Sequence, residues 1–382
     1  MISASYGGTV TDLRDAELTG LLDRLARRPD IEAPELRAWD AADRYLLDTA
    51  EPWLRSAPES VVIVDDTHGS LALGALSLGA RHVRVHQDSL VAQHALAANA
   101  RGQGAVITQH ALDAVMTPDA RLALLRLPRS LDRLDAVARL LAARAHPDLV
   151  LVAGNMLKHM TPTQNDVLRA SFERVDVSLA RGKARLLTAR GPRRIAPAEP
   201  ARGFDPDHEL HIVALAGVFA GASLDIGTRA LLDAADQLPV FATAIDLACG
   251  SGVLAAFLAR RNPGARVMAS DVSAVAVQSA ALTAAANGVR VETVHDDGLS
   301  QQPDASADLI VLNPPFHVGA AVHTGIALRL FAEAGRVLRP GGQLWAVWNS
   351  HLAYVPALER AVGPTSQVAR TAKFTVTASR HA

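Results

Sequence analysis

Three unbroken apolar runs constrain this chain most: Val61-Val62-Ile63-Val64, Leu149-Val150-Leu151-Val152 and Leu309-Ile310-Val311-Leu312. A short run with no polar residue reads as a strand buried in a core. Each run stops at polar or turn-forming residues, and helix-length segments lie between them. Further strands are predicted at 82–86, 122–127, 242–247, 266–270, 289–294 and 344–348. Helices are predicted at 134–145 and in stretches that end at Asn99, Arg261, Asn287 and Leu338. Arg339-Pro340-Gly341-Gly342 reads as a turn, and 367–370 with 374–378 as a closing hairpin. Strands alternating with helices give an α/β fold with an open, doubly wound parallel sheet. Such sheets bind ligands at the carboxyl ends of their strands.

A chain of 382 residues predicts two domains. Hydrophobic content of 49% against 20% charged predicts packed cores rather than disorder. The net charge of −1 excludes a global basic signature, so any nucleic-acid surface must be local. Cys249 is the only cysteine, which rules out an internal disulfide and fits a reducing, cytoplasmic setting. The first ten residues carry no basic segment followed by an apolar one, so no signal peptide is expected. The Ala/Leu-rich stretches are broken by Arg, Asp and His, so no membrane span is expected. Residues 190–208, with Pro192, Pro197, Pro200 and Pro206, have linker composition and separate domains at 1–195 and 205–382. Just upstream, Arg181, Lys183, Arg185, Arg190, Arg193 and Arg194 occur with no acid among them. They form either a phosphate-contacting strip beside an inter-domain groove or a solvated strand and linker.

The chemistry-bearing residues of the second half gather at predicted strand ends: Asp246, Gly250, Asp271, Asp297 and Asn313. Asp246-Leu247-Ala248-Cys249-Gly250-Ser251-Gly252 is a strand–loop–helix junction whose glycines allow close backbone approach to a ligand. NAD, FAD and S-adenosylmethionine all use such loops. The dinucleotide fingerprint wants a third glycine where Ala255 stands. Asp246 within the loop favours a ligand with an ammonium group over a pyrophosphate. Asp271, followed by Val272, is placed to accept from ribose hydroxyls, and Ser273 is free to cap the next helix. The last feature is Asn313-Pro314-Pro315-Phe316-His317. Two prolines donate nothing and hold the backbone extended. That leaves the Asn side chain and backbone carbonyls as acceptors beside an aromatic ring, which suits a planar ring bearing an amino group.

The halves echo one another. Val64-Asp65-Asp66-Thr67-His68-Gly69-Ser70 resembles Ile245-Asp246-Leu247-Ala248-Cys249-Gly250-Ser251, and Asp88 lies where Asp271 is expected. Leu125-Arg126-Leu127-Pro128 resembles Val311-Leu312-Asn313-Pro314, and 180–189 resembles 369–378. On that alignment Leu71 replaces the second glycine, Leu127 the Asn, and Arg129-Ser130 the Pro-Phe pair. The first half is then a decayed copy kept for binding or stability.

On these residues the second half resembles a class I S-adenosylmethionine-dependent methyltransferase. Asn313-Pro314-Pro315-Phe316 is similar to the signature of enzymes that methylate amino or amide nitrogens. With His317 and the stretch Phe219 to Thr228, the match narrows to the bacterial ribosomal RNA guanine-N2 methyltransferases. These are built as tandem Rossmann-like methyltransferase domains whose N-terminal copy is degenerate. Residues 36–47 and Lys373-Phe374 resemble the large-subunit (23S) type more. The resemblance implies S-adenosylmethionine held by Asp246, Ala248, Gly250, Gly252, Asp271, Val272, Asp297 and Asn313. It implies catalysis by Asn313, Pro314, Pro315 and Phe316, and a partner that is ribosomal RNA or a ribosomal particle. Ala248 departs from the family, which has glycine there. Two alternatives stand beside this reading. One is an amino-group methyltransferase acting on adenine-N6 or protein glutamine. The other is a catalytically silent RNA-binding or ribosome-assembly protein.

Overall fold

The computed structural model describes residues 10–102, 106–315 and 320–382, the side chains of 10–13 and 320–324 excepted. The chain divides into two compact units, Met1–Ala198 and Glu199–Ala382. The first is built on β1 (Val61–Val64), β2 (Val83–His86), β3 (Ile107–Gln109), β4 (Leu122–Arg126), β5 (Val150–Met156), β6 (Phe172–Val177) and β7 (Ala184–Pro192). These lie in the order β3-β2-β1-β4-β5-β7-β6. The first five are parallel, and β7 runs antiparallel between β5 and β6. In the second unit β8 (Ala201–Asp205) and β9 (Leu210–Ala214) form a ribbon. Its main sheet holds β10 (Thr243–Leu247), β11 (Arg266–Asp271), β12 (Glu292–His295), β13 (Ala307–Leu312), β14 (Leu338–Asn349), β15 (Thr365–Arg370) and β16 (Phe374–Arg380). Their order, β12-β11-β10-β13-β14-β16-β15, repeats that of the first sheet.

The apolar runs are strands covered on both faces. Val61 and Ile63 enter the core built with Leu46, Leu47 and Leu54, whereas Val62 and Val64 face Leu134, Leu141 and the Ala123/Leu125 side. Likewise Leu309 and Val311 pack with Trp345 and Leu254, and Ile310 and Leu312 with Phe331 and Trp348. Alternate side chains point to opposite faces of a strand, so both faces here are apolar. Each fully buried Leu or Ile contributes about 1.5–3 kcal/mol, which is why a charge at Val311 would break the sheet.

Three expectations need correction. The linker composition at 190–208 hides strand: β7 runs to Pro192 and β8 starts at Ala201. Of the basic run only Arg185 and Arg190 lie in β7, and two of its six charges meet acids in space. Arg181 pairs with Asp48 over the Tyr45 ring, and Arg190 pairs with Asp176 beside Trp53. The Arg339–Gly342 turn is a bulge inside β14, because Ala307 pairs with Leu338 while Leu309 pairs with Gln343.

Strand register also corrects the alignment of the halves. Val64 faces His86 and Leu125 across its neighbours, as Leu247 faces Ser270 and Leu312. Asp65 and Ala248 therefore correspond, and both are left-handed, at φ 63° and 57°. Gly69 and Gly252 correspond, each opening the following helix at φ 92° and 74°. The second glycine is thus retained as Gly69, not replaced by Leu71. The counterpart of Asn313 is Arg126 rather than Leu127, and that of Asp271 is Gln87 rather than Asp88. The repeated Asp misled the alignment because Asp66 and Asp246 do one job from different places. Asp66 accepts from the N–H groups of Gly69, Leu71 and Ala72, and Asp246 from that of Ala255. In the first unit the Arg133 guanidinium, 6% exposed, lies over the ends of β1 and β2, bonded to His86 and Asp65.

Candidate active site at the strand ends of the second unit

The order of the second sheet reverses between β10 and β13, and the crevice there is where an open sheet binds its ligand. Asn313 follows β13 directly. Its Nδ2 donates to Asp225 Oδ2 and Thr228 Oγ1, both at 3.0 Å. Asp225 caps the helix Ile226–Asp233, and the same Oδ2 accepts from the Gly227 and Thr228 N–H groups at 2.8 and 3.2 Å. A carboxylate has no hydrogen to give, so the Asn313 amide can face it only with its NH2. The amide oxygen is thereby turned the other way. Asn313 Oδ1 is buried and has no hydrogen-bond partner among the described residues. A buried acceptor without a donor costs about 1–3 kcal/mol, so this atom can take an N–H donor from a ligand.

Opposite lies the glycine loop. Asp225, Thr228, Asp246, Ala248, Gly250 and Asn313 line one cleft with Phe219. Asp246 is 1% exposed, and burial pushes its carboxyl well above the usual range, with Asp271 adding to the effect. Its carboxylate accepts from the Ala255 N–H, at 2.9 Å. A cationic ligand group would supply the counter-charge. Asp271 orders the loop, since Oδ2 accepts from the Gly250 N–H and Oδ1 from the Ser273 N–H, each at 2.9 Å. Ser273 caps the next helix by accepting from the Ala276 N–H, so Asp271 is not needed there. The two glycines differ. A Cβ on Gly250 would meet nothing within 4 Å, whereas one on Gly252 would lie 2.5 Å from Ala280 Cβ. Gly250 leaves room for a ligand, and Gly252 lets two helices approach. Ala248 holds the loop's left-handed turn, at about 1–2 kcal/mol more than glycine would.

The cleft thus gathers Asp246, Ala248, Gly250 and Asn313, with Asp271 one hydrogen bond behind. Val272 is half-buried, and its carbonyl accepts from His295. Asp297 is ion-paired to Arg329. Neither lines the cleft. Pro314 is buried and Pro315 exposed, while Phe316 and His317 lie outside the described residues. Motif reading at the strand ends missed Asp225 and Thr228 as site residues. They sit 88 and 85 positions from Asn313, and the only sequence signal was the Phe219–Thr228 stretch itself.

Comparison with known proteins places the chain in a family. Residues 209–378 match the methyltransferase small domain, and residues 14–193 the RLMG N-terminal domain. A ribosomal RNA large subunit methyltransferase G from Stutzerimonas stutzeri is 37% identical, over 92% of this chain and 95% of its own length. The protein of that name from Streptomyces avermitilis is 35% identical, again over 92% and 95%. In fold, the chain is similar to the T. thermophilus 16S rRNA N2 methyltransferase solved with AdoMet and guanosine. That match has a TM-score of 0.74 and 22% identity, and covers 95% of this chain and 99% of that one. With relatives this similar along almost its whole length, the chain is a methyltransferase and belongs to the ribosomal RNA large subunit methyltransferase G family.

Proposed function

We propose that the protein methylates the exocyclic N2 of a guanine in 23S ribosomal RNA, in the cytoplasm, with S-adenosylmethionine as donor. The observation that carries this is the buried Asn313 Oδ1, without a partner among the described residues, while Asp225 and Thr228 hold the amide's NH2. When bound, S-adenosylmethionine supplies an electrophilic methyl group on a sulfonium. Asp271 would hold its ribose, the Gly250 backbone would lie along it, and Asp246 would balance its positive charge.

A guanine amino nitrogen is a poor nucleophile because its lone pair is delocalised into the ring. Asn313 Oδ1 accepts one of its hydrogens and the Pro314 carbonyl the other. Both hydrogens are then held to one side, and the lone pair is turned out of conjugation toward the methyl. Alignment supplies most of the acceleration. The base must be unpaired or flipped out to reach the cleft, and the family motif gives Phe316 the part of stacking on it.

The test is Asn313→Ala in single-turnover methylation of 23S rRNA, with calorimetry of S-adenosylmethionine binding. Loss of a preorganised polar contact of this kind costs about 100–1000-fold in rate. Cofactor affinity and melting temperature should stay near wild type. Full activity in this variant would refute the amino-methylation reading. Mass spectrometry of rRNA from cells with and without the protein identifies the nucleotide.

A further inference from the structure

The β8–β9 ribbon pairs with no other strand among the described residues. A two-stranded ribbon alone is marginal in water, so its support has to come from elsewhere. On its outer edge β9 uses a helix as if it were a strand. The N–H groups of His211, Val213 and Leu215 donate to Asn287 Oδ1, Thr283 Oγ1 and Ser279 Oγ, each at 3.0 Å. Asn287 Nδ2 and Thr283 Oγ1 donate in return to the His211 and Val213 carbonyls, at 2.7 and 3.1 Å. The spacing explains the fit. Residues four apart share one face of a helix and lie about 6 Å apart along it, close to the roughly 6.8 Å between alternate residues of a strand. Thr283 and Ser279 are fully buried, so these rungs satisfy polar groups that water cannot reach.

Three helices that begin at the candidate active site are all held by this ribbon. The helix Ala274–Ala286 carries the rungs, and its cap Ser273 adjoins the strand end at Asp271. The helix Val253–Arg261 begins at Gly252 of the glycine loop, and its Arg260 donates to the carbonyls of His208 and Glu209 in the ribbon's turn. The helix Ile226–Asp233 begins at Asp225, the partner of Asn313, and its Arg229 donates to Asp205 and Asp207 of the same hairpin. The ribbon also touches the wall of the cleft. A Cβ on Gly203 would lie 2.0 Å from the carbonyl oxygen of Ala222, between Phe219 and Asp225. No left-handed turn calls for glycine at 203, so the close approach of the two backbones does.

We propose that the β8–β9 ribbon is a positioning element for methyl transfer, with Thr283, Arg229 and Gly203 as its positioning residues. The proposal rests on the reading of the protein as a guanine-N2 methyltransferase. In that reading the glycine loop and Asp271 belong to the cofactor side of the cleft, and Asp225 with Asn313 to the acceptor side. The ribbon is bonded to the helices of both sides, so it sets the distance and angle between them. A misplacement of about 1 Å costs on the order of 100-fold in rate. Each ligand still meets its own side intact when the ribbon shifts, so the loss falls on the rate and not on either affinity.

The experiment uses the full chain, S-adenosylmethionine and 23S rRNA transcribed in vitro. Thr283→Val keeps the shape of the rung and removes its hydroxyl, whereas Thr283→Ser keeps the hydroxyl. Gly203→Ala leaves the rungs alone and pushes on Ala222. Ser379→Ala removes a buried hydroxyl bonded to that of Thr365, and serves as the control for lost stability. Single-turnover rates are taken at saturating RNA and cofactor, well below each melting temperature. They should fall about tenfold in Thr283→Val and about 100-fold in Gly203→Ala, and stay within about twofold in Thr283→Ser and Ser379→Ala. KM for the RNA and calorimetric affinity for S-adenosylmethionine should change by less than about threefold in all four. Wild-type rates in folded Thr283→Val and Gly203→Ala overturn the proposal, as does a rate that follows melting temperature alone and falls equally in Ser379→Ala. Should Thr283→Val not fold, Gly203→Ala decides by the same criteria. Wild-type protein that forms no N2-methylguanine overturns the underlying reading, and the proposal with it.

Discussion

The orientation of the Asn313 amide can be tested apart from the residue itself. Asp225 performs two tasks with one oxygen: it caps a helix, and it claims the Asn313 NH2. Asp225→Ser separates them. Serine is as good an N-cap as aspartate, so stability should change by less than about 0.5 kcal/mol. Its hydroxyl is one atom too short to replace Oδ2 at the amide. A hydrogen bond to a charged group is worth about 1.5–3 kcal/mol, but Thr228 Oγ1 still holds Nδ2, so the low end applies. That amounts to roughly a tenfold fall in the methyl-transfer rate. Asp225→Ser/Thr228→Val removes both partners and should cost about 100-fold, approaching Asn313→Ala. In an Asn313→Ala background neither change should slow the reaction further, since there is no amide left to orient. Asp225→Asn, whose carbonyl can take the place of Oδ2, should recover most of the rate. The assay is single-turnover methylation of 23S rRNA beside a thermal melt and a cofactor titration. A rate within twofold of wild type in the Asp225→Ser/Thr228→Val protein would show that the amide needs no support, and the argument from its free oxygen would fall.

Three further outcomes follow from the structure. Gly250→Ala should cost about 1–2 kcal/mol of backbone strain and weaken S-adenosylmethionine binding. Gly252→Ala should lower the melting temperature far more, because its Cβ would meet the Ala280 backbone at 2.6 Å. Asp271→Ala should weaken cofactor binding in calorimetry, whereas Gln87→Ala, at the matching place in the first unit, should leave it untouched. Burial pushes the Asp43 carboxyl up to about 6, only partly offset by Arg126. With a folded pKa above the unfolded one, its contribution is best below about pH 4 and is lost as pH rises through 6, on the order of 3 kcal/mol in all. Asp43→Asn should therefore melt progressively higher than wild type in scans from pH 4 to 7. A constant difference would refute the assignment.

Strands closed at polar residues were legible from sequence because their apolar runs admit no other burial. Asp246, Gly250, Asp271 and Asn313 were legible because strand ends are where such a sheet keeps its chemistry. The β8–β9 ribbon was not, since proline and glycine suggest linker until a partner strand is known to pair with Ala201–Asp205. The bulge at Arg339–Gly342 was missed for a similar reason: local residues specify a turn, and only the register against β13 makes it part of a strand. The frame of the internal repeat went astray by one or two residues because side chains were matched where backbone shape is what persists. Asp65 and Ala248 share nothing but a left-handed φ. Asp225 joined the site through a contact that no local pattern encodes.

The pairing of Arg126 with Asp40 bears on the reversibility of the first unit's decay. Asp40 caps the helix Ala41–Ser56 just as Asp225 caps its own, and the strand-end residue reaches it in both units. Where the second unit uses a neutral amide, the first uses a guanidinium that also holds Asp43 and Asn155. A step from Arg126 back to asparagine would strand Asp40 and the 6%-exposed Asp43 as adjacent carboxylates without their cation. Breaking a buried pair in this way costs about 3–5 kcal/mol, a large part of the 5–15 kcal/mol that holds a typical domain folded. The salt bridge acts as a lock on the sequence: with a guanidinium between two acids, asparagine at position 126 is no longer a neutral change for the first unit.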